Sequence, residues 1–217
     1  DYKLDKLVSR TAGRPLAVGN ISIIEAWVFF IVLALISFAL LWFTNALTIK
    51  LSIFFGFLIV LYPITKRFIS APQFILGITF GSGSLIAYSL ETSIFSASIL
   101  TLYIGIVAWI VSFDTYYALQ DKNDDLEIGV NSTAILWAEN AIIYSKVLHL
   151  AFYASLLTIA IINSFSYFFF LIFIGLFYLF LHQNKLLKNS DYLGAFKINN
   201  WIGIISVSGF ALEIIFL

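Results

Sequence analysis

The chain contains no cysteine among its 217 residues, which excludes a disulfide framework, a cysteine-ligated metal and a thiol nucleophile. It also contains no methionine and begins at Asp1 inside a charged segment, so a fragment or processed product without its original N-terminus is expected. Charge is scarce. Only 11% of residues are Asp, Glu, Lys or Arg, against about 25% in soluble domains. The 12 basic and 12 acidic residues balance to a formal net charge of zero, so no nucleic acid or other polyanion is implied as a partner. Residues 1–20 are polar and charged and offer no signal peptide. In place of charge stand 61% hydrophobic residues, 18% aromatic ones and a mean hydropathy of +1.00. This composition excludes a water-soluble globule and a disordered chain, and defines an integral membrane protein.

Crossing a hydrocarbon layer of about 30 Å takes about 20 apolar residues of helix. Seven stretches qualify: 23–43, 47–64, 72–90, 94–113, 138–162, 165–181 and 198–217. Their length and continuity predict an all-α bundle and exclude a barrel, whose strands of about 10 residues would alternate in polarity. No low-complexity linker interrupts the chain, so residues 1–217 read as one polytopic membrane domain. Numbering the connections alternately puts 1–22, 65–71, 114–137 and 182–197 on one side. The short connections 44–46, 91–93 and 163–164 fall on the other. The first side carries ten of the twelve basic residues, the other two (Lys50 and Lys146) lying inside spans. The excess of Lys and Arg orients that side toward the cytoplasm, or toward the matrix of a mitochondrion. Any chemistry is expected there, because the opposite loops are too short to hold a site.

Carboxylates gather on the same side. Asp1 and Asp5 are spaced i, i+4, as are Asp121 and Asp125, and Asp114 precedes Asp121 by seven positions. On a helix this spacing aligns each set on one face. Aligned carboxylates repel unless a cation lies between them, and Mg²⁺ is held by one or two carboxylates while phosphates and waters complete its octahedron. A lone acidic pair in a loop is ordinarily just solvated. Seven of the twelve acidic residues fall in these two segments, however, which points to a diphosphate gripped through bridging metal ions. A transport pathway is the competing class, but transport sites sit near the membrane midplane at broken helices. Here the acidic residues stand at helix ends, and Pro15, Pro63 and Pro72 lie outside the span centres.

Several segments carry a more specific likeness. DYKLD (1–5) followed by RTAGRPL (10–16) resembles the end of the NDxxDxxxD…RTxxRPL signature of the UbiA-type intramembrane prenyltransferases. DTYYALQDKNDDLEIGVNSTA (114–134) resembles that family's second signature, DxxYAxxDxxxDxxxGVxST. YPITKR (62–67) with QFILG (73–77), and FKINNWIG (196–203) near the C-terminus, are similar to further polar stretches of the family, and all occur in the family's order. The family's bundle has nine helices, and its first signature begins before the position of Asp1. The resemblance therefore implies that seven of nine helices are present and that the first, with most or all of the second, is missing.

The resemblance implies an Mg²⁺-dependent aromatic prenyltransferase of ubiquinone biosynthesis. Its substrates would be a polyprenyl diphosphate and 4-hydroxybenzoate, with prenylation at the ring carbon ortho to the hydroxyl. Asp1, Asp5, Asp121 and Asp125 would hold the metal; Lys66, Arg67, Lys122 and Tyr117 would bind the diphosphate; Asp121, Asp125 and Lys66 would act directly in catalysis. Arg10 or Arg14 would pair with the aromatic carboxylate in a bidentate fork, and Asp114 and Asn200 would line the site. A naphthoate or homogentisate acceptor remains the alternative within the family. The implied location is a bacterial inner membrane with the site on its cytoplasmic face, or else the mitochondrial inner membrane, and no protein partner is implied.

Overall fold

The computed structural model describes residues 5–8, 10–65 and 67–216, which form helices and turns with no strand among them. Seven long helices follow one another: α1 (Ile23–Leu41), α2 (Ala46–Thr65), α3 (Pro72–Ser89), α4 (Ala97–Gln120), then a short α5 (Lys122–Ile128), α6 (Ala141–Ile162), α7 (Ile172–Lys188), a short α8 (Tyr192–Lys197) and α9 (Asn199–Phe216). Six segments are long and apolar enough to cross a membrane: α1, α2, α4, and α6, α7 and α9 with their leading turns. The exception is α3, whose 18 residues include Gln73, Thr79 and three glycines.

Side chains that can reach backbone groups set the helix starts. Ser22 Oγ accepts from Glu25 N at 3.2 Å while Glu25 Oε2 accepts from Ser22 N at 2.8 Å, a reciprocal cap for α1. Asn45 Oδ1 accepts from Thr48 N at 2.9 Å, Ser96 Oγ from Ile99 N at 3.3 Å, and Asp191 Oδ1 from Gly194 N at 2.8 Å.

Small residues bring the central helices together. A Cβ placed on Gly105 of α4 would lie 1.9 Å from Ser155 Oγ on α6, and one on Gly77 of α3 would lie 3.0 Å from the Val107 carbonyl oxygen. Gly81 meets Tyr103 and Val107 in the same way, whereas Gly56 and Gly83 face no neighbour. Close backbone approach at small residues is the usual basis of helix association in lipid. Trp109 stacks on Phe152 beside the α4–α6 seam, with centroids 4.7 Å apart. The apolar core continues through Leu156, Phe169, Leu176 and Ile202.

The two sets of connections fall at opposite ends. At one end Thr48 bonds Ser89, Ser98 bonds Asn163, and Glu213 accepts from both Ser166 N and Ser166 Oγ. At the other end the C-terminus of α4 packs on Leu187 and Tyr192 of α7 and α8, and meets the N-terminal segment, the end of α2 and the start of α3. The grouping of the connections at two ends therefore matches the one drawn from the charges. Asp114 and Asp121, however, do not share one unbroken helix. Helix α4 stops at Gln120, Asp121 has φ −103° and ψ 7°, and a new helix starts at Lys122. The i, i+4 spacing of Asp121 and Asp125 survives through the bond from Asp125 N to Asp121 O at 2.9 Å. Gly129, at φ 71°, ends α5 in the left-handed conformation that its lack of a side chain permits.

Candidate active site

At the charged end lies a cavity of about 130 Å³, walled by Asp5, Arg10, Arg14, Asp114, Tyr117, Asp121 and Asp125, with Tyr62, Gln73, Asn131 and Ser132 completing it. Four separate stretches of the chain supply these side chains: 5–14, Tyr62, Gln73 and 114–132. A buried polar relay fixes them. Gln73 Oε1 accepts from Thr133 N at 2.9 Å, and the Thr133 and Thr115 hydroxyls bond at 2.6 Å, joining α3, the turn after Gly129 and α4. Ser132 caps the next turn by accepting from Ile135 N, and Thr11 Oγ1 donates to the Asp5 carbonyl at 2.9 Å. The GVNST run thus bends the chain back beneath the acidic helix end.

Two ion pairs cross the cavity. Arg10 Nε donates to Asp121 Oδ1 at 2.9 Å and Arg10 Nη2 donates to Asp121 Oδ2, a bidentate fork; Arg10 Nη1 donates to the Tyr117 hydroxyl. The Arg10 guanidinium also lies over the Tyr117 ring, 4.2 Å from its centroid. Arg14 Nη1 donates to Asp5 Oδ1 at 2.9 Å. The Arg10 and Asp121 side chains are only 29% and 12% exposed. Hydrogen bonding to Asp121 raises the Arg10 pKa above its ordinary value despite the opposing effect of burial.

Asp5, Arg10, Arg14, Asp114, Tyr117, Asp121 and Asp125 meet in one cavity. Asp1 and Lys66 lie outside the described residues. Arg67 is exposed in the turn after α2 and does not line the cavity. Lys122 lines a separate cleft with Glu139 and Tyr192. Asn200 is exposed; its neighbour Asn199 points inward, accepting from Trp109 Nε1 at 2.8 Å. The two arginines, expected to await a substrate carboxylate, each hold a protein carboxylate instead. Tyr62, Gln73 and Ser132, which belong to the family-like motifs without being expected site residues, also line the cavity.

Among the described residues no three carboxylate or imidazole groups converge into a ready-made metal centre. The donor set still suits a divalent cation completed by a diphosphate, since Mg²⁺ takes one or two carboxylates and draws its remaining oxygens from phosphate and water. Asp5, Asp121 and Asp125 offer those carboxylates around one opening.

The fold and this cavity define a polytopic helical membrane protein whose acidic, arginine-bearing site opens at one end of the bundle. The chain belongs to the UbiA prenyltransferase family, whose model matches residues 1–203, and it is accordingly an intramembrane prenyltransferase. It is 36% identical to a 4-hydroxybenzoate octaprenyltransferase of Tolumonas auensis, over 98% of this chain and 75% of that protein. It is 37% identical to another of that name from Saccharophagus degradans, over 98% of this chain and 72% of that protein. The structure of a UbiA homolog from Aeropyrum pernix K1, an apo form, superimposes with a TM-score of 0.85 at 25% identity, covering 99% of this chain and 81% of that one.

Proposed function

We propose that this protein transfers a polyprenyl group from a polyprenyl diphosphate to 4-hydroxybenzoate, at the ring carbon ortho to the hydroxyl, in ubiquinone biosynthesis. The observation that carries the reading is the convergence of Asp5, Asp121, Asp125, Arg10 and Arg14 on one cavity at the basic end of the bundle. The names of the relatives support the choice of acceptor. Asp5, Asp121 and Asp125 would hold Mg²⁺, with Asp1 joining them by its place in the motif. Bound there with diphosphate, the ion neutralises charge developing on the leaving group.

The remaining work falls to the protein. Lys66, by its motif, would add positive charge where the diphosphate departs; Arg67, exposed away from the cavity, and Lys122, turned into another cleft, are better placed to anchor the bundle end. The allylic C–O bond breaks, its electron pair leaves with the diphosphate, and a ring carbon activated by the phenol oxygen bonds the allylic cation. That carbon then loses its proton and the ring regains aromaticity. An arginine fork orients the acceptor through its carboxylate, and the packed rings of Tyr117 and Phe196, 4.8 Å apart, screen the cation from water. The prenyl tail has an apolar course close at hand. A cleft of about 600 Å³ between α1 and α2, lined by Leu16, Trp27, Phe30, Ile59 and Pro63, begins next to Arg14 and Tyr62 of the cavity. The basic end is read as cytoplasmic, in a bacterial inner membrane.

The test is prenyl transfer in membranes carrying the protein, with labelled polyprenyl diphosphate, Mg²⁺ and a panel of aromatic acids. Label is expected on 4-hydroxybenzoate and is expected to vanish with a chelator. Transfer to a naphthoate or homogentisate alone would overturn the acceptor, and transfer unaffected by chelation would overturn the metal.

A further inference from the structure

The two ion pairs leave the site self-neutralised. Arg10 presents Nε and Nη2 to both oxygens of Asp121, the geometry with which a guanidinium takes a benzoate-type carboxylate. While that fork is closed, the two-pronged Nε/Nη2 edge of Arg10 is taken, Nη1 is engaged by the Tyr117 hydroxyl and one face of the guanidinium is covered by the Tyr117 ring, so the edge best suited to an acceptor acid is occupied. Asp121 is equally committed. A divalent cation at its oxygens would stand a few ångströms from a guanidinium of like charge, and this repulsion is strong in a half-buried site. The volume agrees: about 130 Å³ is left, where small-molecule sites usually offer about 300–1,000 Å³. The closed pair is thus an obstacle to both ligands, and removing it for one removes it for the other.

We infer that Asp121 is an internal stand-in for the acceptor's carboxylate: it occupies Arg10 until it turns to the metal–diphosphate, and only then is the Arg10 fork open to the aromatic acid. The inference rests on the proposed function and adds an order to it, diphosphate before acid, together with a choice of Arg10 over Arg14 as the acceptor's anchor. Order matters chemically, because an acid bound first would sit in a site with no cation-bearing partner. The Arg14–Asp5 pair is a single contact at 2.9 Å with Arg14 52% exposed. It lacks the two-pronged fit and the aromatic cover of Arg10.

The test measures binding of labelled 4-hydroxybenzoate to the purified protein in lipid nanodiscs, without cation and with Mn²⁺ plus inorganic pyrophosphate. The wild type is expected to bind the acid about tenfold or more tightly in the second condition, the size of one charge-assisted bond. Asp121→Asn is expected to bind the acid without cation about as well as the wild type does with it. Arg10→Gln is expected to bind the acid weakly in both conditions, yet to bind Mn²⁺ alone, followed by its paramagnetic resonance signal, several-fold more tightly than the wild type. That last measurement stands even if the asparagine variant folds poorly. Equal acid binding with and without cation in the wild type would overturn the order. Release of acid binding by Asp5→Asn in place of Asp121→Asn would overturn the assignment to Arg10. If 4-hydroxybenzoate is prenylated but binds without regard to cation, the order alone falls; if it is neither bound nor prenylated, the proposed function falls with it.

Discussion

Polar side chains occur in two settings in this molecule, and the settings differ in what the side chains bond to. Inside the bundle they are mostly neutral and bond backbone carbonyls or other neutral side chains held in place by the packing. His149, fully buried, lies 3.0 Å from the Tyr153 hydroxyl one turn along α6; Asn199 bridges Trp109 and the carbonyls at 195 and 196; Gln183 donates to the Ala195 carbonyl. At the cavity they are charged and bond across the sequence, Arg10 to Asp121 over 111 positions. A bond to a fixed carbonyl has no other use. A bond between two mobile charges can be exchanged for a bond to a ligand. Architecture and chemistry are therefore separable by partner, although the residue types overlap.

The sharpest break of that comparison is Asp121→Ala or Asp125→Ala. Prenyl transfer should fall about 10²–10³-fold, the usual cost of losing a contact to transition-state charge, while thermal unfolding in detergent stays near that of the wild type. A variant that retains more than a tenth of its activity would place the carboxylate among the architectural groups. Gly105→Ala should do the reverse. Its methyl would press on Ser155 across the α4–α6 seam and cost toward the upper end of about 1–3 kcal/mol, and Ser155→Gly in the same chain should restore much of it. Third comes Glu213→Ala, which strips Ser166 N and Oγ of their acceptor. The expected loss is about 1–3 kcal/mol, read as a lower unfolding temperature with the activity per folded molecule unchanged. Smallest of all is Leu35→Ala on α1, where no residue is buried and Leu35 is 65% exposed. A change within about 0.5 kcal/mol is expected in detergent, and a larger one would mean that α1 is packed against something in the membrane.

Much of this was legible in the sequence for reasons that can be named. Lys and Arg partition by side, so the two ends of the bundle followed from ten basic residues. The left-handed stop at Gly129 is likewise local chemistry that needs no distant partner. What escaped were features set by rotation and by partners. Spacing seven and four apart reads the same whether the helix is continuous or restarts at Asp121, so the break was invisible. Lys122 and Asn200 were misplaced by single positions, and one residue is about 100° of helix. Gly105 looks like any other glycine until Ser155 is known to stand against it. The arginine pairs could not be seen because each guanidinium had two plausible anions, one of them outside the chain.

The contact between Glu213 and Ser166 has a bearing on how the molecule is made. The turn that leads into α7 is finished by a carboxylate synthesised 47 residues later. Until α9 has entered the bilayer, the amide and hydroxyl of Ser166 face hydrocarbon or headgroups without that acceptor. A helix that leaves the ribosome later thus completes the entry of the one before it, and the hairpin of α7 and α9 should become resistant to extraction and protease as a single event.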